Sequence, residues 1–94
     1  MPDSTSFAGA RYSDHALDEV RRRGLDPEVV TSVLASPGQV YEVRAGRVVA
    51  QSLFREPGTG RSFLIRVFVD IDRNPPIVVT AYRSGKIAKY WRAQ

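Results

Sequence analysis

The sequence has 94 residues and a net charge of +4, with one histidine and no cysteine. This length suits a single domain with a small core. The lack of cysteine excludes disulfides and thiolate chemistry, and a lone histidine nearly excludes the usual His/Cys zinc site. The first ten residues lack the basic and apolar regions of a secretory signal, and no apolar run is long enough to span a bilayer. A cytoplasmic protein is therefore expected.

The positive charge is concentrated in the C-terminal third. Residues 1–60 hold seven Arg against eight Asp and Glu, a net charge of −1, whereas residues 61–94 hold seven Lys and Arg against two Asp, a net charge of +5. Such a basic face fits phosphates or an acidic partner, but it can also be a solvated surface that keeps the protein soluble.

The N-terminal part predicts a tail followed by a helix. Residues 1–10 are small and polar and are expected to form a flexible tail, so the domain is assigned to residues 11–94. Ser13 is a candidate N-cap, and Gly24 suits the end of the helix that Ser13 starts. The apolar stripe of this helix is Ala16, Leu17 and Val20, and it is narrow enough to place the helix on a surface.

A second helix and four strands follow. Asp26-Pro27 is typical of a helix start, and Ser36-Pro37-Gly38 ends that helix. Strands are predicted at 39–44, 47–54, 62–70 and 77–82, separated by turns at 45–46, 56–60 and 74–76. Ser84 is a candidate cap for a final short helix. We therefore predict an α+β fold of order ααββββα, in which two N-terminal helices pack on a curved four-stranded antiparallel sheet with a short C-terminal helix.

Alternation along the third and fourth predicted strands suggests a polar site. Arg66 interrupts an apolar strand and shares a face with Leu64 and Phe68. On the next strand, one face is predicted to carry Val78, Thr80 and Tyr82, and the opposite face Ile77, Val79 and Ala81. A guanidinium, a hydroxyl and a phenol on one sheet face could form an oxyanion or phosphate site. The alternative is the solvated face of a one-sided sheet, where Arg and Thr are ordinary.

His15 is the one side chain that titrates near neutral pH. Its place in the first turn of the first helix favours a neutral imidazole, which suits a general base, although a histidine there can also be an ordinary surface residue. No Ser–His–Asp, paired-carboxylate or metal-ligand spacing is present. Asp70 and Asp72 are expected to flank the turn that follows, and the Gly-Thr-Gly of residues 58–60 is expected to be a hairpin loop.

Several stretches together resemble the bacterial family called domain of unknown function 4258. They are YSDHALDEVRRRGLDPEVVTSVLASP, LIRVFVD and VVTAYRSGKIAKYW, which cover about residues 11–92. The family pattern falls on His15-Ala16, Arg23-Gly24-Leu25 and Arg66-Val67, then on Thr80 and Tyr82 with a Lys- and Tyr-containing tail at 86–90. The family often has an Arg four residues after the His, and this sequence departs from it there with Glu19, a carboxylate that lowers the local positive potential.

The resemblance implies a RelE/ParE-like toxin domain of the barnase–EndoU–colicin–RelE ribonuclease group, with its active site on the concave face of the sheet. The expected activity is metal-independent RNA cleavage without a cofactor, and the expected partners are RNA and an antitoxin or other acidic protein. Alternatives are a non-catalytic module that binds nucleic acid or an acidic protein through residues 83–92, or a structural subunit. The expected catalytic residues are His15, Arg66 and Thr80, and the expected nucleic-acid contacts are Tyr82, Arg83, Lys86, Lys89 and Tyr90.

Overall fold

The computed structural model describes residues 6–93, and its elements are numbered in chain order. The helices are α1 (Asp14–Arg22), α2 (Pro27–Ala35) and α3 (Ile87–Tyr90). The strands are β1 (Arg11–Tyr12), β2 (Gln39–Arg44), β3 (Arg47–Arg55), β4 (Ser62–Asp70) and β5 (Ile77–Ser84). No helix within residues 6–93 is long and apolar enough to cross a membrane.

Local signals set the bounds of the first two helices. The Ser13 hydroxyl accepts a hydrogen bond from the backbone N–H of Ala16 at 3.0 Å, and the Asp26 carboxylate accepts one from Glu28 at 2.9 Å. Gly24 follows α1 with a φ of 64°, a conformation that glycine adopts without steric cost. The two predicted helices are thus confirmed. The third begins differently from the prediction, because Lys86 is its N-cap and no side chain caps it.

The sheet has five strands in the order β1-β5-β4-β3-β2. The four long strands are antiparallel, as predicted, but the two-residue β1 pairs in parallel with the start of β5. The expected purely antiparallel, four-stranded sheet is therefore wrong in these two respects. β1 was missed because two residues are too few to show any alternation of apolar and polar side chains.

The helices cover one face of this sheet, which we call the helix face. Alternate residues of β4, Ile65, Val67 and Val69, point into the core there, and α1 adds Ala16 and Val20 to the same core. Residues between them in β4, such as Arg66, point to the opposite face, as the alternation predicts. The core of the domain therefore lies between the sheet and the two N-terminal helices.

A β-bulge in β5 changes which of its residues reach the core. Phe68 pairs with Thr80, but the next residue of β4, Val69, pairs with Val78, so Val79 is an extra residue on β5. Both Val78 and Ala81 are fully buried in the core as a result. The prediction that Val78 shares a face with Thr80 and Tyr82 is therefore wrong, because strict alternation fails at a bulge.

Two further expectations differ from the structure at the surface of α1 and at the N-terminus. Leu17, assigned to the apolar stripe, is 48% exposed, whereas Glu19 is 3% exposed. Phe7 is buried in the core and its backbone N–H donates to the Leu34 carbonyl at 2.7 Å. Residues 6–10 of the predicted tail therefore pack on the domain, and residues 1–5 lie outside the described residues.

Candidate functional site

A single row of polar side chains crosses four strands on the face opposite the helices. Gln39 pairs with Gln51, Gln51 pairs with Arg66, and Arg66 pairs with Tyr82. Directly paired residues point to the same face of a sheet, so these four side chains form one line from β2 to β5. We call this side of the sheet the Arg66 face. The neighbouring row on it consists of Tyr41, Val49, Phe68 and Thr80.

Arg66 lies at the centre of the row and is only 4% exposed. Its guanidinium donates to the Gln51 amide oxygen through Nε at 2.8 Å, to the Tyr41 hydroxyl through Nη2 at 2.8 Å, and to the Tyr82 hydroxyl through Nη1. Within residues 6–93, Arg66 pairs with no carboxylate. The cation is therefore buried among neutral acceptors, and two of its five N–H groups have no partner in this network.

Aromatic rings enclose the same guanidinium. The ring centroid of Tyr90 lies 3.9 Å from the Arg66 Cζ, and the rings of Phe68 and Tyr82 lie at 5.2 and 5.6 Å. The faces of such rings attract a cation, and this attraction partly replaces the hydration that burial removes. The rings thus stabilise the positive charge of Arg66, which has no counter-ion among residues 6–93.

The C-terminal strap, residues 85–93, is fastened to this row by the two glutamines. The Gln51 amide donates to the Tyr90 carbonyl at 3.0 Å and to the Gln39 amide oxygen at 2.8 Å. Gln39 in turn donates to the Arg92 carbonyl at 2.6 Å and accepts from the Arg92 N–H at 3.1 Å. Every buried side-chain nitrogen and oxygen atom within residues 6–93 has a hydrogen-bond partner. The row is therefore a polar network whose buried atoms are all hydrogen-bonded, and its bonds to the backbone of the strap hold the strap in place.

The two phenols next to Arg66 have pKa values displaced in opposite directions. The pKa of Tyr82 is raised, mainly because burial disfavours the phenolate, even though Arg66 opposes this effect. The pKa of Tyr90 is lowered, mainly by hydrogen bonding to Tyr82, with further contributions from the charges of Lys89 and Arg66. Tyr90 is therefore the phenol of the pair that ionises more readily.

The structure does not bring His15 to this network. His15 is exposed on α1, whose neighbouring residues Ala16 and Val20 pack on the helix face of the sheet. Arg66 and Thr80 lie on the other face, where Thr80 pairs with Phe68 and is half-buried. Of the three residues expected to be catalytic, two share a face and the third lies on the helix side of the sheet.

Two of the three cations expected to contact nucleic acid, Lys86 and Lys89, lie at the rim of the Arg66 face. Lys86 and Lys89 are exposed on the strap, and the Lys89 Nζ lies 5.2 Å from the centroid of the Tyr90 ring. Arg83 is different, because it follows Tyr82 on β5 and its guanidinium lies 3.8 Å from the ring centroid of Phe63, on the helix side. Arg83 also pairs with Glu56 at 3.3 Å.

Open pockets border both ends of the polar row. At the β5 end, Arg23, Leu25, Tyr82 and Arg83 line a pocket of about 500 Å³. At the β2 end, a pocket of about 390 Å³ is lined by Gly38, Gln39, Val40, Tyr41, Arg92 and Ala93. The first helix therefore does contribute to this side of the molecule, through Arg23 after its C-terminal end.

Glu19, where the sequence departs from the family pattern, is a carboxylate paired with arginines. It is buried and pairs with both Arg22 and Arg23. Arg23 also donates to the Ala81 carbonyl of β5 at 2.9 Å. The negative charge of Glu19 is therefore compensated locally, and the Glu19–Arg23 pair joins the end of α1 to the sheet.

Sequence reasoning missed Gln39, Tyr41 and Gln51 as members of the site. Gln51 had a readable signal, because it interrupts the apolar run VVAQSLF of β3 as Arg66 interrupts β4. Gln39 and Tyr41 lie in a strand of mixed polarity, where no residue stands out. Only the register of the sheet identifies them.

The fold and this site define a small basic α+β protein in which a buried arginine at the centre of one sheet face pairs with no carboxylate among residues 6–93. A family model described as "Domain of unknown function (DUF4258)" matches residues 12–83. This match spans most of the chain, and the chain belongs to that family. No curated protein and no solved structure matches it.

Proposed function

We propose that this protein binds RNA, with a backbone phosphate on the Arg66 face of the sheet. The observation that carries the proposal is the guanidinium of Arg66, which is buried without a carboxylate partner among residues 6–93. A buried charge is expensive unless it is paired, and a guanidinium recognises phosphate oxygens through two parallel hydrogen bonds. Two N–H groups of Arg66 are available for such a contact.

The surroundings of Arg66 favour a single-stranded polyanion as the ligand. Lys86, Lys89 and Arg92 are exposed on the strap, and Arg23 and Arg83 lie at the pocket beyond Tyr82. Cations that follow a strand on both sides of a central contact are typical of phosphate-backbone binding, and exposed aromatic rings give unpaired bases a stacking surface. Tyr82 and Tyr90 are the rings available for that purpose.

The test compares Arg66→Ala with Arg21→Ala in binding to a fluorescently labelled single-stranded RNA. Both changes remove one positive charge, but Arg21 is exposed on α1, on the helix side. Loss of a charge-assisted contact is worth about 1.5–3 kcal/mol, so we expect roughly ten- to hundredfold weaker binding for Arg66→Ala and little change for Arg21→Ala. Circular dichroism establishes that both variants are folded. Equal affinities of folded Arg66→Ala and wild type would overturn the proposal.

A second candidate function is RNA cleavage by a RelE/ParE-like toxin at the same site. The specific observation that favours it is the lowered pKa of Tyr90 beside Arg66. A phenolate there could take the proton of a 2′-hydroxyl, whose oxygen then attacks the adjacent phosphorus and expels the 5′-oxygen. That oxygen takes a proton as it leaves, and the products are a 2′,3′-cyclic phosphate and a 5′-hydroxyl. Arg66 would stabilise the charge on the phosphorane oxygens and Thr80 would position the phosphate.

Cleavage is distinguished from binding by incubating RNA with stoichiometric protein in the presence of EDTA. The toxin candidate predicts cyclic-phosphate ends, a rate that rises as Tyr90 ionises, and a loss of about 10²-fold or more in Tyr90→Phe. His15→Ala should cleave like the wild type. Absence of any product would leave binding as the function. Growth arrest on expression, relieved by an acidic protein partner, is the corresponding result expected in cells.

A further inference from the structure

We propose that the C-terminal strap is a lid over Arg66, and that RNA binding requires the strap to lift. The inference rests on the RNA-binding function proposed above and concerns the regulation of that site. In the described structure the strap and an RNA phosphate would occupy the same position on the guanidinium. The two are therefore competitors.

The cover over Arg66 is provided by one side chain of the strap. The centroid of the Tyr90 ring lies 3.9 Å from the Arg66 Cζ, and Arg66 as a whole is only 4% exposed. The rings of Phe68 and Tyr82 border the same group but belong to the rigid sheet. Movement of Tyr90 is consequently the simplest way to open a path for a phosphate.

The strap is held largely by hydrogen bonds to its backbone, and its apolar side chains Ile87, Tyr90 and Trp91 are only half-buried. α3 contributes no buried residue. Four hydrogen bonds join the strap backbone to side chains of β2 and β3: two with Gln39, one from Gln51 and one from the Tyr41 hydroxyl to the Tyr90 carbonyl at 3.2 Å. Two cation–π contacts add to these bonds: the Arg66 Cζ lies 3.9 Å from the Tyr90 ring centroid, and the Arg92 Cζ lies 3.5 Å from that of Tyr41. Opening the strap therefore breaks a small set of polar and aromatic contacts rather than a packed apolar core.

A phosphate can replace these interactions with stronger ones. It accepts charge-assisted hydrogen bonds from Arg66, and the hydroxyls of Tyr41 and Tyr82 can donate to it once they are released. A ligand shifts an equilibrium by the difference between its affinities for the two states, and only the open state admits it to the guanidinium. Lys86 and Lys89 belong to the strap and could contact neighbouring phosphates after it lifts.

The chain carries its own reporter of this motion, because its only tryptophan, Trp91, lies in the strap. Trp91 is half-buried and packs near Gly38, where a Cβ would lie 3.0 Å from the indole. If the strap lifts, acrylamide should quench Trp91 fluorescence more strongly when single-stranded RNA is bound than in the free protein. The titration uses wild-type protein and needs no substitution.

Two variants loosen the strap without touching Arg66. Gln39→Ala removes both of its hydrogen bonds to Arg92, and Gly38→Ala crowds the indole of Trp91. A larger open fraction should tighten RNA binding, by roughly tenfold or more for Gln39→Ala, which loses two hydrogen bonds to the strap, and by about threefold for Gly38→Ala. Gly58→Ala is the control, because no atom of residues 6–93 lies within 4 Å of the added Cβ. Its affinity should equal that of the wild type.

The outcomes separate the lid from the function on which it rests. Greater quenching of Trp91 together with tighter binding by the two loosened variants supports the lid. RNA binding with unchanged quenching and unchanged affinities overturns the lid and leaves the RNA-binding function intact. Weaker binding by both variants also overturns it, since RNA would then bind to the strap in its closed position. Absence of RNA binding by the wild type and both variants overturns the lid and the function together.

Discussion

At the scale of single residues, four polar side chains are buried within residues 6–93, and each of them has partners. Gln39, Gln51 and Arg66 form one network on the Arg66 face, and Glu19 is buried separately on the helix side. Such groups destabilise a fold when they are left without hydrogen bonds, so each must be built together with its neighbours. Glu19 and Arg66 are the charged residues of this set. Glu19 pairs with arginines, whereas the hydrogen-bond partners of Arg66 within residues 6–93 are neutral.

Glu19→Ala is expected to lower the free energy of unfolding by about 1–3 kcal/mol. The Glu19 side chain is 4% exposed and accepts from Arg22 and Arg23, which are 59% and 41% exposed. Because both arginines can reach water after the substitution, the loss should be below that for a fully buried pair. Urea denaturation measures it. Asp18→Ala, which breaks an exposed pair with Arg22, is the control and should cost less than about 1 kcal/mol.

Asp70 should make the free energy of unfolding depend on pH in the acid range. Its pKa is lowered, mainly by hydrogen bonds from Arg47 at 2.6 and 3.1 Å, with burial acting in the opposite direction. The unfolded pKa is about 3.9, so the ionised pair contributes stability above that pH, and this contribution is lost as the pH falls through the lower folded pKa. Urea unfolding at a series of pH values measures this effect. In Asp70→Asn, the free energy of unfolding should decrease less on acidification than in the wild type. An unchanged pH dependence would contradict this assignment.

At the scale of elements, turns and a bulge decide where side chains point. The bulge at Val79 carries both Val78 and Ala81 into the core, and it leaves Thr80 and Tyr82 on the Arg66 face. The β2–β3 turn depends on Gly46, whose φ is 83°. These local backbone features place the strands in the register that builds the polar row.

Gly46→Ala should reduce stability by about 1–2 kcal/mol, because a residue with a Cβ is strained at this φ. The added Cβ would also lie 2.9 Å from a carboxylate oxygen of Asp72, although that side chain can move away. Thermal or urea unfolding gives the change. Gly58→Ala is the matched loop control, with no atom of the described residues within 4 Å, and should be close to neutral. Equal losses in the two variants would argue against backbone strain at Gly46.

At the scale of the whole molecule, the two faces of the sheet differ in chemistry. The helix face carries the apolar core that stabilises the domain, and the Arg66 face carries the polar row and the strap. The excess charge of residues 61–94 belongs partly to this second side, through Arg66, Lys86, Lys89 and Arg92. Binding of a polyanion should therefore involve one side of the protein.

The RNA affinity should fall as salt rises, and the lysines of the strap should account for part of that dependence. Each phosphate contact to a single strand contributes about 0.7 to the slope of log K against log salt. The double substitution Lys86→Ala and Lys89→Ala should therefore reduce the slope by about 1.4. Fluorescence anisotropy at several salt concentrations measures the slope. Arg21→Ala should leave it unchanged, and an unchanged slope in the double variant would remove these lysines from the interface.

Much of the fold could be predicted because its signals are local. Ser13, Asp26 and Pro27 mark helix starts, and alternation along β4 correctly separates Ile65 from Arg66. Leu17 was assigned to the wrong environment, and the burial of Glu19 was not predicted, since helical spacing does not reveal that nearby arginines can compensate a buried carboxylate. The bulge in β5 was likewise invisible, because it depends on the pairing with β4.

The sequence by itself determined the order of the helices and long strands, the absence of cysteine chemistry, and a cation within an apolar strand. Each of these properties follows from residue type or from the spacing of residues that are close in sequence. The tertiary structure alone decided which distant residues meet: Arg66 contacts Gln51, Tyr41 and Tyr82, and His15 does not join them. Register and strand order create those contacts across 15 to 25 residues of chain, and such separations leave no periodic trace in a single sequence.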